Sequence, residues 1–412
     1  MNLLLCPPAK PLNPASIKIT GSKSESNRLL LLQALYPSIT IQNLSGSDDT
    51  RLMQRALTTP ETHIDIHHAG TAMRFLTAYF ALHQGREVVL TGSQRMKERP
   101  VALLVDALRQ LGATIRYEEK KGFPPLRITG QHLSQNRISL QAGVSSQYIS
   151  ALLLIAPKLP NGLNLRLEGE LTSVPYIKMT LALLRKLGVE TTWEENCIKL
   201  QPLHGEPEPR TFVVESDWSS ASYFYSLVAL SEAGTRLSLS AYRKDSLQGD
   251  AAVAAIYESL GVTTRYSGHI LILTKEENNR PVTELHLNLA DTPDLAQTIA
   301  VSCLGMGISC TLTGLHTLKI KETDRLKALK TELEKLGAAV TVTASELHLQ
   351  AAGNLRKNIS IATYNDHRMA MAFAPLALKT PLLICDAGVV AKSYPNFWKD
   401  LAKLGFQAVE TR

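Results

Sequence analysis

Asp294 and Glu322, two possible proton carriers, and lysines and arginines at several separate turns carry the chemistry this sequence offers. The first such turn is Gly21-Ser22-Lys23-Ser24-Glu25-Ser26-Asn27-Arg28. Ser22 or Ser24 can cap the apolar helix that continues through Leu29–Leu32, which sets its free N–H groups and positive dipole end beside Lys23. Arg28 lies one turn beyond Ser24 on the same face. Lysine, arginine, hydroxyls and a helix N-terminus together describe an anion site. A capped surface helix with solvated charges is the plainer account of this stretch taken alone.

Similar turns recur. Small residues from Ala69 through Gly70 and Thr71 to Ala72 let backbone N–H groups approach a ligand, with Arg74 at hand; a tight turn before a buried helix would read the same. Arg95-Met96-Lys97-Glu98-Arg99-Pro100 is a three-cation loop suited to clamping phosphate or carboxylate. Ser145-Ser146-Gln147 and Ser173-Val174-Pro175-Tyr176 precede helices and either offer hydroxyls to a phosphate or simply cap. Lys321 and Arg325 share the face of a helix start, with Glu322 and Asp324 near its positive end. His367 and Arg368 stand at the mouth of a small-residue helix, and Lys392 adds another cation in a turn. Cations contributed by both halves of the chain fit a small, multiply anionic substrate pair. His63, Asp65 and His67 alternate with Ile64 and Ile66, which describes one solvated strand face and not a metal site. Walker, Gly-x-Gly-x-x-Gly and His-Glu-x-x-His motifs are absent from the sequence, so nucleotide, dinucleotide and zinc chemistry lose ground.

The elements that must position these turns repeat. An amphipathic helix ending in Leu-Gly and followed by a β-rich strand occurs at Leu111-Gly112, Leu187-Gly188, Leu260-Gly261, Leu336-Gly337 and Leu404-Gly405. Each glycine is the expected left-handed C-cap. The period is about seventy residues, which divides the chain into about six βαβ-type units. The first copy lacks the signature and is expected as Thr50–Leu57 leading to the strand His63–His67. Three units around a helical core would make one domain, and six would make two.

The 412 residues are 44% apolar and 20% charged, which suits a globular protein of more than one domain. A net charge of +7 suits acidic partners. The basic residues are scattered, unlike the runs or stripes of nucleic-acid binders. Five cysteines without metal-ligand spacing read as free thiols in a reducing cytosol. Cys6 follows too short an apolar stretch, with no basic region before it, for a lipoprotein signal, and no apolar run reaches membrane-spanning length.

In this combination and order, the turns at Gly21–Ser24, Ala69–Arg74, Arg95–Pro100, Lys321–Arg325, Asn365–Ala370 and Ala391–Pro395 resemble the 5-enolpyruvylshikimate-3-phosphate synthases over essentially the full chain. Ser216–Ser222 and Ser246–Asp250 strengthen the likeness. The resemblance implies an α/β two-domain enolpyruvyl-transferase fold, each domain made of three similar βαβ-type units with a helical core. Residues 1–21 and 215–412 would form one domain and 22–214 the other, with the active site in the cleft between them. It implies transfer of the enolpyruvyl group of phosphoenolpyruvate to the 5-hydroxyl of shikimate-3-phosphate, by addition and then elimination of phosphate.

Carried over by position, Lys23, Ser24, Arg28, Ser145, Ser146, Gln147, Ser173, Asp294, Thr317 and Lys321 are expected to contact shikimate-3-phosphate. Lys23, Gly70, Arg95, Gln147, Arg325, Arg368 and Lys392 are expected to hold phosphoenolpyruvate. Asp294 is the expected base at the hydroxyl and Glu322 the proton carrier at C3, with Lys23 assisting. The resemblance also implies a cytoplasmic monomer with no cofactor and no metal, inhibited by the phosphoenolpyruvate analogue glyphosate. His68, Phe75, Trp218 and Thr317 depart from the family's usual residues. Two alternatives stand beside this reading. One is enolpyruvyl transfer to a nucleotide sugar, which uses a cysteine on the loop corresponding to the Arg95 region, where this chain has none. The other is a non-catalytic phospho-ligand-binding protein.

Overall fold

The five Leu-Gly glycines all take positive φ: Gly112 at 104°, Gly188 at 98°, Gly261 at 78°, Gly337 at 102° and Gly405 at 99°. Each helix therefore stops where a residue with a Cβ would be strained. This computed structural model describes every residue except Lys10, Asn13, Pro14, Ala142, Val144, 278–281, Ala352 and Arg412. The chain divides into two compact units. A terminal unit combines Met1–Thr20 with Glu215–Arg412, and an inserted unit spans Gly21–Val214.

The inserted unit contains α1 (Lys23–Leu35), α2 (Asp48–Thr58), α3 (Gly70–Leu82), the short α4 (Gln94–Lys97), α5 (Ala102–Gln110), α6 (Ser146–Ile155) and α7 (Val174–Lys186). The terminal unit contains α8 (Trp218–Leu230), α9 (Val253–Glu258), α10 (Ala296–Met306), α11 (Arg325–Lys335), α12 (His367–Phe373) and α13 (Phe397–Lys403). Three helices in each unit are buried almost all round and form its interior: α1, α3 and α6 in one, α8, α10 and α12 in the other. Such all-round burial selects the small and apolar residues of these helices, and it leaves their polar groups concentrated at the N-terminal ends.

Five sheets share one topology. In the sheet around α10, strand Glu284–Asn288 runs parallel to Ser309–Thr313, which pairs antiparallel with Leu347–Gln350, itself antiparallel to Ala339–Val342. A core helix joins the parallel pair, and a Leu-Gly helix (α11 here) leads into the hairpin. The same order holds for the sheets opening with His63–Asp65 and Arg137–Gln141 in the inserted unit, and with Ser16–Lys18 and Ile359–Ile361 in the terminal unit. The sixth is reduced to a parallel pair, Arg210–Val213 with Ile39–Gln42. Here the sequence expectation needs correction. Helix α2 ends at Thr59 in an extended conformation instead of a glycine turn, and His63–Asp65 opens the next sheet instead of closing this one. No helix among the described residues is long and apolar enough to cross a membrane.

Candidate active site

In the inserted unit the site residues stand at helix starts. Ser22 caps α1, its Oγ accepting from the Glu25 N–H at 3.4 Å. Arg28, 2% exposed, donates to four neutral oxygens: Ser24 O at 2.8 Å, Thr180 Oγ1 at 2.8 Å, Ser150 Oγ at 2.9 Å and Tyr176 O at 3.3 Å. The Phe75 and Tyr176 rings lie 5.4 and 5.8 Å from its guanidinium. One cation thereby ties α1 to α3, α6 and α7. Burial lowers its pKa to about 10, which leaves it protonated at neutral pH. Lys23 Nζ lies 3.3 Å from Asp49 Oδ2 at the start of α2, and His68 Nε2 lies 3.5 Å from Asp49 Oδ1.

The starts of α3 and α6 are joined where Gln147 Nε2 donates to Thr71 Oγ1 at 3.2 Å. Ser145 caps α6 by accepting from the Gln147 N–H, and Ser146 is buried beside it. Ser173 is held at φ 55°, and α7 begins after it with no side-chain cap. A non-glycine residue held in that region is a strain found mostly at functional sites. Gly70 and Arg99 touch: a Cβ added to Gly70 would lie 2.4 Å from Arg99 Nη1, and Arg99 is 7% exposed. Arg95, the arginine singled out from the sequence, instead pairs with Glu98 at 3.2 Å with 42% of its side chain exposed. Arg74 braces the same turn, donating to Pro100 O at 2.8 Å and to Gly70 O at 3.2 Å.

The terminal unit centres on Arg325, which is 2% exposed and meets three carboxylates. Its Nε donates to Asp366 Oδ2 at 2.7 Å, Nη1 to Asp294 Oδ1 at 2.7 Å and Nη2 to Glu322 Oε2 at 2.8 Å. The other Asp294 oxygen accepts from Arg368 Nη2 at 2.8 Å. Asp294 thus bridges two guanidiniums. Asp366 caps α12 through the Arg368 N–H, which fixes Arg368 relative to Arg325. Tyr364 and Asn365, at φ 53° and 55°, lead into that cap, and Lys392 Nζ donates to Asn365 O at 2.5 Å. Lys321 ends the turn before α11, where its charge acts on Asp294. Thr317 is buried, and its hydroxyl makes no hydrogen bond among the described residues.

Charge separates the acids of this cluster. Burial alone would raise the Asp294 pKa, but Arg368, Lys321 and Arg325 outweigh it and hold the carboxyl well below the usual carboxylate range. Asp250, fully buried and bonded to the Ser219 hydroxyl, goes the other way. Burial first, and Asp294 second, push its pKa up to about 7. Its folded carboxyl holds a proton that the unfolded chain releases near 3.8, so native stability falls as pH rises between about 4 and about 7. Asp250→Asn cannot ionise and loses that slope. The urea midpoints of parent and variant should therefore diverge in the variant's favour as pH climbs through that window; parallel midpoints would show that Asp250 titrates as in the unfolded chain.

The structure brings together Lys23, Asp49 and His68; Gly70 with Arg99; Gln147 with Thr71; and Asp294, Glu322, Arg325 and Arg368. Asp49 was missed in the sequence, while Asp366, Ser219 and Asp250 lie within stretches that carry the resemblance but were given no role there. Asp366 also carried a local signal, as a capping residue immediately before His367-Arg368.

Comparison with known proteins converges. The family model described as EPSP synthase (3-phosphoshikimate 1-carboxyvinyltransferase) matches residues 54–401. A 3-phosphoshikimate 1-carboxyvinyltransferase of Bacteroides fragilis is 46% identical over 399 residues, covering 95% of both chains. One from Salmonella heidelberg is 38% identical, covering 95% of this chain and 97% of its own. Among solved structures, an EPSP synthase from Acinetobacter baumannii superposes with a TM-score of 0.79 at 21% identity, covering all of both chains. The enolpyruvyl transferase NikO from Streptomyces tendae reaches 0.74 at 14%, covering 100% of this chain and 99% of its own, a likeness of fold.

Proposed function

The chain belongs to the EPSP synthase family, and from that premise we propose how its residues transfer the enolpyruvyl group of phosphoenolpyruvate to the 5-hydroxyl of shikimate-3-phosphate with release of phosphate. The observation that carries the proposal is Asp294 bridging Arg325 and Arg368, with Glu322 on the same arginine. Two guanidiniums are the groups to bind a carboxylate-phosphate substrate, and two carboxylates beside them can move its protons.

Lys23, Ser24, Ser145, Ser146, Gln147 and Ser173 take shikimate-3-phosphate, together with Asp294, Lys321 and Thr317. Arg28 joins them through the one Nη1 N–H that its four bonds to neutral oxygens leave over. Lys23, Gly70, Gln147, Arg325, Arg368 and Lys392 take phosphoenolpyruvate, with Arg99 in the place first given to Arg95 because Arg99 is the guanidinium against Gly70. In the addition, the 5-hydroxyl loses its proton to Asp294 as its oxygen bonds to C2 of the enol, and Glu322, entering this step as the protonated acid, delivers its proton to C3. In the elimination, C3 returns that proton to Glu322 as the C2–O bond to phosphate breaks, and the phosphate leaves with the proton that Asp294 took up. Lys23 steadies the oxygen charge. The reaction needs no cofactor, and we place the enzyme in the cytoplasm as a monomer.

Phosphate release measured with phosphoenolpyruvate plus shikimate-3-phosphate, against phosphoenolpyruvate plus a nucleotide sugar, tests the reading. Release with the first pair alone is expected, and release with the nucleotide sugar alone would overturn it. A second prediction follows from Gly70. A methyl there must push the Arg99 guanidinium aside, so Gly70→Ala should raise the KM for phosphoenolpyruvate while turnover remains measurable. Glyphosate is longer and should lose more affinity than the substrate. Superimposable inhibition curves for parent and variant, at matched phosphoenolpyruvate saturation, would remove Gly70 and Arg99 from that pocket.

A further inference from the structure

Asp49 lies between the lysine assigned to the substrates and a histidine that the reaction does not use. Its carboxylate is nearly buried, 6% exposed, with one oxygen 3.3 Å from Lys23 Nζ and the other 3.5 Å from His68 Nε2, an approach without hydrogen-bond geometry that becomes an ion pair when the imidazole is protonated. The backbone on either side of the histidine is tied down. The turn before α3 is closed by Ala69 N–H donating to Ile66 O at 2.9 Å, and by Ser93 N–H donating to His67 O at 2.9 Å. His67 itself is fixed in the left-handed region at φ 46°, its N–H bonded to Asp65 Oδ1 at 2.7 Å. Backbone so constrained fixes the point from which the His68 side chain reaches Asp49. The same turn runs on into Gly70, so a single rigid segment reaches Asp49 on one side and Arg99 on the other.

We propose that His68 is a positioning residue for Lys23, acting through Asp49. A carboxylate with one partner concentrates its charge on that partner; a second partner on its other oxygen divides the charge and fixes the plane of the carboxylate. His68 therefore limits how tightly Asp49 holds the Lys23 ammonium and keeps it aimed, so that an anionic substrate competes for the lysine on better terms. Without His68, Asp49 belongs to Lys23 alone, and the substrate must displace a full ion pair. This role rests on Lys23 binding phosphoenolpyruvate as set out above.

The test is a double-mutant cycle on steady-state kinetics of the full chain, with phosphoenolpyruvate varied at saturating shikimate-3-phosphate. His68→Ala should raise the KM for phosphoenolpyruvate at least threefold and change kcat by less than about twofold, since the reacting groups stay in place. His68→Asn, whose amide offers Asp49 a polar N–H in place of the imidazole, should return KM toward the parent value. In an Asp49→Asn background the His68→Ala effect should disappear, because the residue through which it acts is gone. Equal KM effects in both backgrounds, or an unchanged KM in His68→Ala, would overturn the role while the parent's turnover leaves the functional reading standing. A parent without phosphate release would overturn that reading, and the role of His68 with it.

Discussion

Asp294→Asn should lower turnover by about 10²-fold or more, the scale of general acid–base catalysis, and at the same time bind phosphoenolpyruvate more tightly than the parent. The two effects share one cause. The Asp294 carboxylate occupies Arg325 and Arg368, the donors proposed for the substrate's own negative groups. Held between them it is a poor proton acceptor, as the low direction of its pKa records. A substrate anion arriving at those guanidiniums weakens their hold on Asp294, and the basicity of the carboxylate rises as the pairs loosen. Asparagine removes both the base and the competitor. Glu322→Gln should lose turnover to a similar degree with a smaller gain in binding, since it is Asp294 that bridges both guanidiniums proposed for the substrate. Calorimetric titration with phosphoenolpyruvate, paired with single-turnover rates, separates the two readouts. Weaker binding together with a near-parent rate in Asp294→Asn would remove it from the mechanism.

How much of this could be read in advance depended on whether a residue type was forced by its conformation. The Leu-Gly ends were legible because a positive φ at the helix exit selects glycine, and all five adopt one. The reduced sixth sheet was not, because Thr59 leaves α2 in an extended conformation open to any residue. Lys23, Gly70, Gln147 and Arg325 were found as helix starts, which have a chemical signature. The exposure of Arg95 and the burial of Arg99 turn on one short helix. Ser93 caps α4, Met96 and Val101 bury its inner side, and Arg99 follows them inward while Arg95 is left outside with Glu98. Nothing in six consecutive polar and apolar letters fixes which arginine turns in. Asp250 and Asp49 lie far in sequence from the groups they serve and owe their roles to tertiary packing alone.

Replacing Arg325 should do the greatest damage to the protein as a whole. Arg325→Met keeps the apolar stem but leaves Asp366 buried at 0% exposure, with Asp294 and Glu322 at 14% and 15%. Three carboxylates would then share a pocket without the one guanidinium that meets all of them. Breaking a buried pair by removing one partner costs about 3–5 kcal/mol, because the uncompensated charge stays behind. The carboxyls answer by taking up protons, so the loss should grow as pH rises and they are forced to ionise. Arg325→Lys retains a charge but not the planar fork that reaches Asp366, Asp294 and Glu322 at once, and should recover only part of the loss. Of the three tryptophans, Trp218, fully buried at the start of α8, and Trp398 lie in the terminal unit, so urea unfolding followed by tryptophan fluorescence in a Trp193→Phe background measures the effect. A midpoint for Arg325→Met at or above the parent's would mean that the three carboxylates are solvated well enough to stand without their arginine.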